Sequence, residues 1–453
     1  METTPNNTIE QINQRVKSSI TLKLVSIAVL TLLLLIPATM IKSLITEREL
    51  YRDDATVDIT SRWGGSQSVA GPILTVPYRT FTQRHNGEVL ESIKYAHFLP
   101  KQLEISGQMD PQIRKRNIYE VVLYGAYLNF QGQFEQPDFS NWKIDPAAIL
   151  WEDAFLSFGI SDMSGIKKYI DLNWSNQKRR FEPGLTVREV VRSGVTTRVP
   201  VNNDSIPSTY NFQFNVELNG SELLSFIPLG QETSVKMRST WKDPSFGGAF
   251  LPDKPETSAD GFYAEWNLLD LNRDYPQQWL GSTAEINDSA FGVELILPVD
   301  EYQKNMRSAK YALLVIALTF LVFFLVELLN KKRFHPIQYV MVGLAITLFY
   351  ALLLSMTEHL GFNLAYMASA AMITVLVGFY ASYMFKSKVL TGLLSMFMVL
   401  IYAFIFIILQ MQDFSLLVGS LGLFVALAVT MYLSRNIDWY QIGKKQVSNT
   451  NMT

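Results

Sequence analysis

The chain has 453 residues, is 48% hydrophobic but only 18% charged, contains no cysteine and carries a formal net charge of −2. Its length allows two or three domains. Its charge falls short of the roughly 25% of soluble globular chains, which argues against a strongly basic nucleic-acid binder and against a long disordered protein. The lack of cysteine removes disulfides, thiolate metal sites and cysteine nucleophiles together.

In chain order, residues 1–21 form a short polar N-terminus holding Arg15 and Lys17, and an apolar run follows over 22–45. That run exceeds the 7–15 apolar residues of a signal peptide and is followed by no A-x-A-like site, so it reads as an uncleaved signal anchor. Pro37, near its far end, is tolerable as a mild kink in a membrane helix.

Residues 46–308 hold 61 of the 80 charged residues and are polar enough to fold in water. Their pattern is mainly β. Tyr210, Phe212, Phe214, Val216 and Leu218 alternate with polar residues, the period of a half-buried strand, and Asn219-Gly220 offers a turn. Ile118 to Phe130 is a second strand-like run rich in Tyr and Val. Pro and Gly punctuate the segment throughout. A sandwich-like domain of two β layers is expected, with short helical stretches such as Asp145–Phe155 covering them. The Tyr-rich stretches 118–133 and 209–224 also allow two β subdomains.

Residues 309–434 carry only nine charges, all near the edges of five apolar runs: 309–330, 336–357, 363–385, 389–411 and 414–434. A bilayer core about 30 Å thick needs roughly 20 apolar residues per helix, and backbone in lipid must satisfy its own hydrogen bonds. The expected fold is therefore a six-helix transmembrane bundle plus a large, mainly β exported domain between helices 1 and 2. With the N-terminus inside, the short cytoplasmic segments carry eleven Lys and Arg residues and the two short outer loops none. Both termini, including a tail over 435–453, are expected in the cytoplasm.

The chain lacks the phosphate loop, the H-E-x-x-H zinc signature and the G-x-S-x-G elbow. Ser164-Gly-Ile-Lys167 fits S-x-x-K, but no K-T-G follows and its Ser161-Asp162-Met163 companion precedes it, so the match reads as chance. No catalytic residue, cofactor or metal is expected. Glu327 stands one turn before Lys331, as an i,i+4 pair at the membrane edge would. Glu358, His359 and Asp413 gather at the outer ends of neighbouring helices, beside Gln410 and Gln412, as a candidate functional cluster or as solvated loop caps. Small residues four apart, at Ala365 and Ser369 and at Gly422, Ala426 and Thr430, suit close helix contact.

Several motifs together resemble the CreD family of bacterial inner-membrane proteins. Trp63-Gly64 and Gln67, with Gly71-Pro72 leading to Val76-Pro77-Tyr78, form one block; Ile160-Ser161-Asp162 with Gly165-Ile166 forms another. Leu218-Asn219-Gly220-Ser221, Pro228-Leu229-Gly230, and Ser239 and Trp241 with Pro244-Ser245-Phe246 follow. His335-Pro336 and Gln338-Tyr339 open the third apolar run. Arg116-Asn117 departs from the family's usual Arg-Gly. The resemblance implies an inner-membrane location, a periplasmic β domain and a role in envelope integrity, including colicin and β-lactam tolerance. It implies no reaction. The expected partners are the lipid bilayer and a periplasmic or inner-membrane protein, with no nucleic acid. The alternative is a transporter or lipid-handling protein with Glu358, His359 and Asp413 near its entrance, although no helix is broken at midplane by Gly or Pro.

Overall fold

The computed structural model describes residues 20–83, 89–116, 119–202, 209–297, 301–330, 334–411 and 414–435. The chain divides into two compact units, Met1–Tyr51 with Val299–Thr453, and Arg52–Pro298.

The first unit is helical. Its elements are α1 (Ile20–Leu33), α2 (Leu35–Trp63, which also enters the second unit), α3 (Glu301–Lys310), α4 (Ala312–Leu329), α5 (Pro336–Leu360), α6 (Phe362–Phe385), α7 (Lys388–Gln410) and α8 (Ser415–Ser434). Among the described residues, six helical stretches are long and apolar enough to cross a membrane, and they coincide with the six apolar runs of the sequence. Pro37 sits in the first turn of α2, where its missing N–H costs little, and α1 ends just before it.

The helices pack through a continuous apolar core that includes Phe320, Phe349, Tyr366 and Tyr402. Small residues set the closest approaches. Ala365 and Ser369 are fully buried. A Cβ on Gly422 would lie 2.1 Å from the Phe404 ring, so only a glycine there admits that ring between α7 and α8.

One charge pair lies inside this bundle. The Lys23 ammonium bonds the Glu327 carboxylate, which is 6% exposed. Glu327 also accepts from the Phe334 amide (3.0 Å) and the Tyr339 hydroxyl (3.2 Å). The described partners of Glu327 thus come from α1, from Phe334 just before α5 and from Tyr339 within α5; Lys331, the partner expected from spacing, lies outside the described residues. A buried ion pair offsets its desolvation only where further hydrogen bonds satisfy the remaining lone pairs, as they do here.

Among its described residues the second unit has 17 strands in two sheets. The nine-stranded sheet runs β13 (Pro244–Gly248), β17 (Phe291–Leu295), β11 (Leu223–Ile227), β1 (Gln67–Gln83), β5 (Phe155–Ile160), β9 (Gly194–Arg198), β8 (Glu182–Pro183), with β2 (Val89–Phe98) on β1 and β16 (Gln278–Leu280) on β2. The eight-stranded sheet runs β14 (Lys254–Ser258), β15 (Gly261–Leu269), β12 (Glu232–Ser239), β3 (Gln102–Arg116), β4 (Tyr119–Phe134), β10 (Tyr210–Ser221), β6 (Asp171–Trp174), β7 (Gln177–Arg180). Rings from both sheets meet between them. Phe158 of β5 lies 4.9 Å from Phe130 of β4 and 5.1 Å from Phe214 of β10, and Trp266 of β15 lies 5.5 Å from Phe291 of β17. Edge-to-face rings add to the area they bury, and this core, not a disulfide, holds the layers together.

Three local expectations change. The two Tyr-rich stretches do not head separate subdomains: β4 and β10 are antiparallel neighbours, with Phe130 opposite Phe214. Asn219-Gly220 is not a turn; β10 runs through it to Ser221, and the chain passes to β11 of the other sheet at Glu222, which takes a left-handed φ of 58°. The region 145–155 forms two single 3₁₀ turns rather than a helix, the first capped by Asp145.

The Lys23–Glu327 pair yields a test. Lys23→Met should destabilise the bundle by about 3 kcal/mol or more, because it leaves a carboxylate buried without its cation. Adding Glu327→Gln should recover part of that loss. Thermal unfolding of the purified protein measures both; equal melting of the single and double variants would show the two groups to be uncoupled.

Candidate functional site

The motif residues of the second unit converge on one buried polar knot. Gln67, at the start of β1, is fully buried. Its Nε2 donates to the carbonyls of Asp162 (2.9 Å) and Asn219 (3.0 Å), and its Oε1 accepts from the Asp162 amide (3.2 Å). Asp162 caps the 3₁₀ turn Met163–Gly165 by accepting from the Ser164 amide (2.9 Å) and hydroxyl (2.7 Å), and it takes the Gly65 amide on its other oxygen (2.8 Å). Ser161 Oγ accepts from the Ser68 amide (2.8 Å) and donates to the Ser66 carbonyl (3.1 Å). Burial acts to raise the Asp162 carboxyl, but the Gly65 amide and the two Ser164 donors outweigh it and hold the group below the usual carboxylate range.

The glycines of these motifs are explained by closeness. Gly64 has φ +135°, and a Cβ on it would lie 2.7 Å from the Asn219 carbonyl oxygen. Gly220 faces the Tyr124 hydroxyl, which donates to the Leu223 carbonyl (2.7 Å); a Cβ there would lie 2.3 Å from that oxygen. Trp63 completes the knot. Its indole N–H donates to the Tyr124 carbonyl (3.3 Å), with the Arg114 guanidinium 4.7 Å and the Lys167 ammonium 5.6 Å from its ring centroid. Ser164 and Lys167 of the S-x-x-K match therefore serve different partners, Asp162 and Trp63.

The remaining motif positions are also structural. Gly71-Pro72 is a cis peptide bond, placed where the β1–β5 register shifts. Trp241 stands in the corner where the chain leaves β12 of one sheet for β13 of the other; its indole donates to the Asp243 carbonyl (3.1 Å). His335 and Gln338 form a capping box at the start of α5. His335 Nδ1 accepts from the Ile337 amide (3.3 Å), Gln338 Oε1 accepts from the His335 amide (2.9 Å), and Pro336 fills the first helical position.

At one end of the helical unit, Glu358 is nearly buried. It accepts from the Tyr302 hydroxyl (3.4 Å) and lies 3.8 Å from Arg48. His359, one residue on, is exposed. Asp413 and Gln412 lie outside the described residues. Gln410 donates to Asn363 (2.7 Å), and Arg307 donates to the Met411 carbonyl (3.1 Å). These bonds brace helix ends.

Sequence reasoning missed a buried row in the second unit. His97, only 2% exposed, places Nδ1 3.0 Å from Thr75 Oγ1 and Nε2 3.1 Å from Glu189 Oε2, beside the Trp279 ring. The order hydroxyl, imidazole, carboxylate resembles a catalytic triad, but Thr75 is itself 2% exposed, and a nucleophile sealed in the core meets no substrate. No sequence spacing announces this row, since its members are brought together by β1–β2 pairing and by the loop after β8. Burial pushes the His97 imidazole below its ordinary pKa, and the bond and charge of Glu189 return only part of the drop.

The architecture is that of a multi-pass membrane protein with a large two-sheet insertion between its first two spans. The family model for inner membrane protein CreD matches residues 19–440. The inner membrane protein CreD of Escherichia coli (strain K12) is 32% identical over 430 residues, covering 94% of each chain. The chain belongs to the CreD family, and it is a multi-pass inner-membrane protein.

Two outcomes follow from the buried groups. Gln67→Leu leaves the Asp162 and Asn219 carbonyls and the Asp162 amide without their partner in the core, each costing about 1–3 kcal/mol. The second unit should therefore open more readily, read as faster hydrogen exchange over residues 64–68 and 161–166 in the full-length protein. His97 has a lowered pKa in the folded chain, so the unfolded chain binds the proton more tightly. Stability is full above the unfolded value of about 6.5 and is lost as pH falls through it toward the folded pKa. Denaturant unfolding from pH 7.5 to 5 should show that decline, and His97→Gln should flatten it.

Proposed function

We propose that the protein supports the integrity of the bacterial cell envelope by binding. On this reading the β unit is exported to the periplasm as the binding part, the helices hold it at the inner membrane, and both termini are cytoplasmic. The observation that carries the reading is the polar two-sheet unit inserted between the first and second membrane-spanning helices. Kinship with inner membrane protein CreD supports the location, and the excess of Lys and Arg in one set of short loops supports the orientation. Tolerance of colicins and β-lactams is the phenotype this role would produce.

The transporter alternative draws less support. Glu358 is already engaged by Tyr302 and Arg48, and His359 is exposed.

Replacing residues 55–300 by a short flexible linker, with every helical span kept, should abolish envelope-stress tolerance while membrane abundance stays unchanged. Tolerance retained in full would overturn the binding role of the β unit. Cysteine-labelling of residues introduced near Trp63 and in the tail would test the orientation separately.

A further inference from the structure

The outward face of the eight-stranded sheet is unusual for exposed strands. On its strands β3, β4, β10 and β6 the solvent-facing positions are the even residues 102–108, the odd residues 127–133, the odd residues 211–217, and 171 and 173, while the flanking β12 and β7 carry Lys236, Arg238, Lys178 and Arg180 on the same side. Nine of these fourteen are Asn or Gln. Asn in particular is depleted from strands, because its short amide competes with the backbone. A merely solvated face has no reason to concentrate the side chains that fit a strand poorly.

The register lines the amides up across the strands. Glu104, Gln131, Gln213 and Asn173 form one row, and Gln102, Gln133 and Asn211 form the next. Neighbours hold each other in place: Gln131 donates to Glu104 (2.7 Å), Gln133 to Gln102 (3.1 Å) and Asn129 to Asn215 (2.6 Å). Each carboxamide has two donor hydrogens and an acceptor oxygen, so one such bond leaves further capacity aimed at solvent. At one end the face dips into a depression of about 320 Å³ over these two rows, a size within the range of ligand sites. Its rim is the tight turn at Ser175 and Asn176, whose φ angles of 44° and 70° match a type I′ hairpin. Further along β4, on the same face, Tyr127 is 48% exposed. It stands four residues from Gln131, about 14 Å at strand rise.

On these four strands three of the fourteen positions are charged, Glu104, Glu217 and Asp171, and Glu104 accepts from Gln131. Glu217 is met by Lys168 (2.7 Å) and Asp171 by Arg180 (2.7 Å). A strand-like peptide would pair with the free backbone of a sheet edge rather than with side chains at its centre. We infer that this amide-lined face binds a neutral glycan chain, its hydroxyls bridging the carboxamide rows in the depression and a later sugar lying on the Tyr127 ring. The inference rests on the reading of the β unit as the binding part and names the chemical class it binds.

The test uses the full chain in phospholipid nanodiscs, free of sugar-headed detergent, titrated calorimetrically with the hexamers of N-acetylglucosamine and of glucose. At least one hexamer should bind. Gln131→Ala with Gln213→Ala, and separately Tyr127→Ala, should each weaken that binding at least about tenfold, with unchanged thermal unfolding because these side chains are exposed. Binding of neither hexamer at millimolar concentration, or equal binding by the variants, would overturn the inference. So would titration with an unstructured peptide that binds in place of the glycans and is lost in the same variants. Glycan binding by the full chain together with envelope tolerance that survives deletion of the β unit would uphold the site and sink the envelope role. Tolerance lost on deletion with no glycan bound would sink the site and leave that role standing.

Discussion

No water reaches the side chain of Gln67, so its carboxamide must find every partner inside the protein. It does so by joining three chain segments: its own strand β1 in one sheet, the Asp162 turn, and the Asn219 carbonyl of β10 in the other sheet. A buried amide bonded on both ends is specific in a way that apolar packing is not, because a shift of either sheet leaves a donor or acceptor stranded. The aromatic core supplies adhesion between the layers, and this amide fixes how they are aligned. The close glycines at 64 and 165 fit this crossing, since a Cβ on either would press on the Asn219 carbonyl oxygen.

The helical unit solves the same problem for a charge. Glu327, buried in an apolar bundle, is met by three donors, Lys23, the Phe334 amide and Tyr339. Both devices place a polar group where water cannot correct an error. They tie together elements distant in sequence, and each is more costly to break than to replace whole.

The apolar runs were legible because lipid leaves the backbone one local solution, and length and charge report it directly. The two β layers were legible from alternation, as in Tyr210 to Leu218. Pairing partners were not, since alternation gives a strand its faces and says nothing of its neighbours. Hence the stretches of β4 and β10 allowed two subdomains, when the strands are adjacent in one sheet. Asn219-Gly220 read as a turn because small polar dipeptides usually are, whereas here Gly220 is small to admit the Tyr124 hydroxyl. Glu358 was visible as an acid at a helix end, but its bond to Tyr302 joins helices far apart in the chain. Motif residues such as His335 and Gln338 stood out in the sequence, and only the cap geometry shows that they begin a helix.

The pairing of β1 also sets a schedule. Its opening residues lie parallel to β11, Gln67 beside Leu224, and between them lies most of the β unit. At about 5–20 residues per second, synthesis reaches β11 roughly ten to thirty seconds after β1 has emerged. For that interval the central strand of the nine-stranded sheet has an open edge. The nascent chain therefore spends its most vulnerable period tethered by its first membrane helix, with a hydrophobic strand waiting for a partner that the ribosome has yet to make.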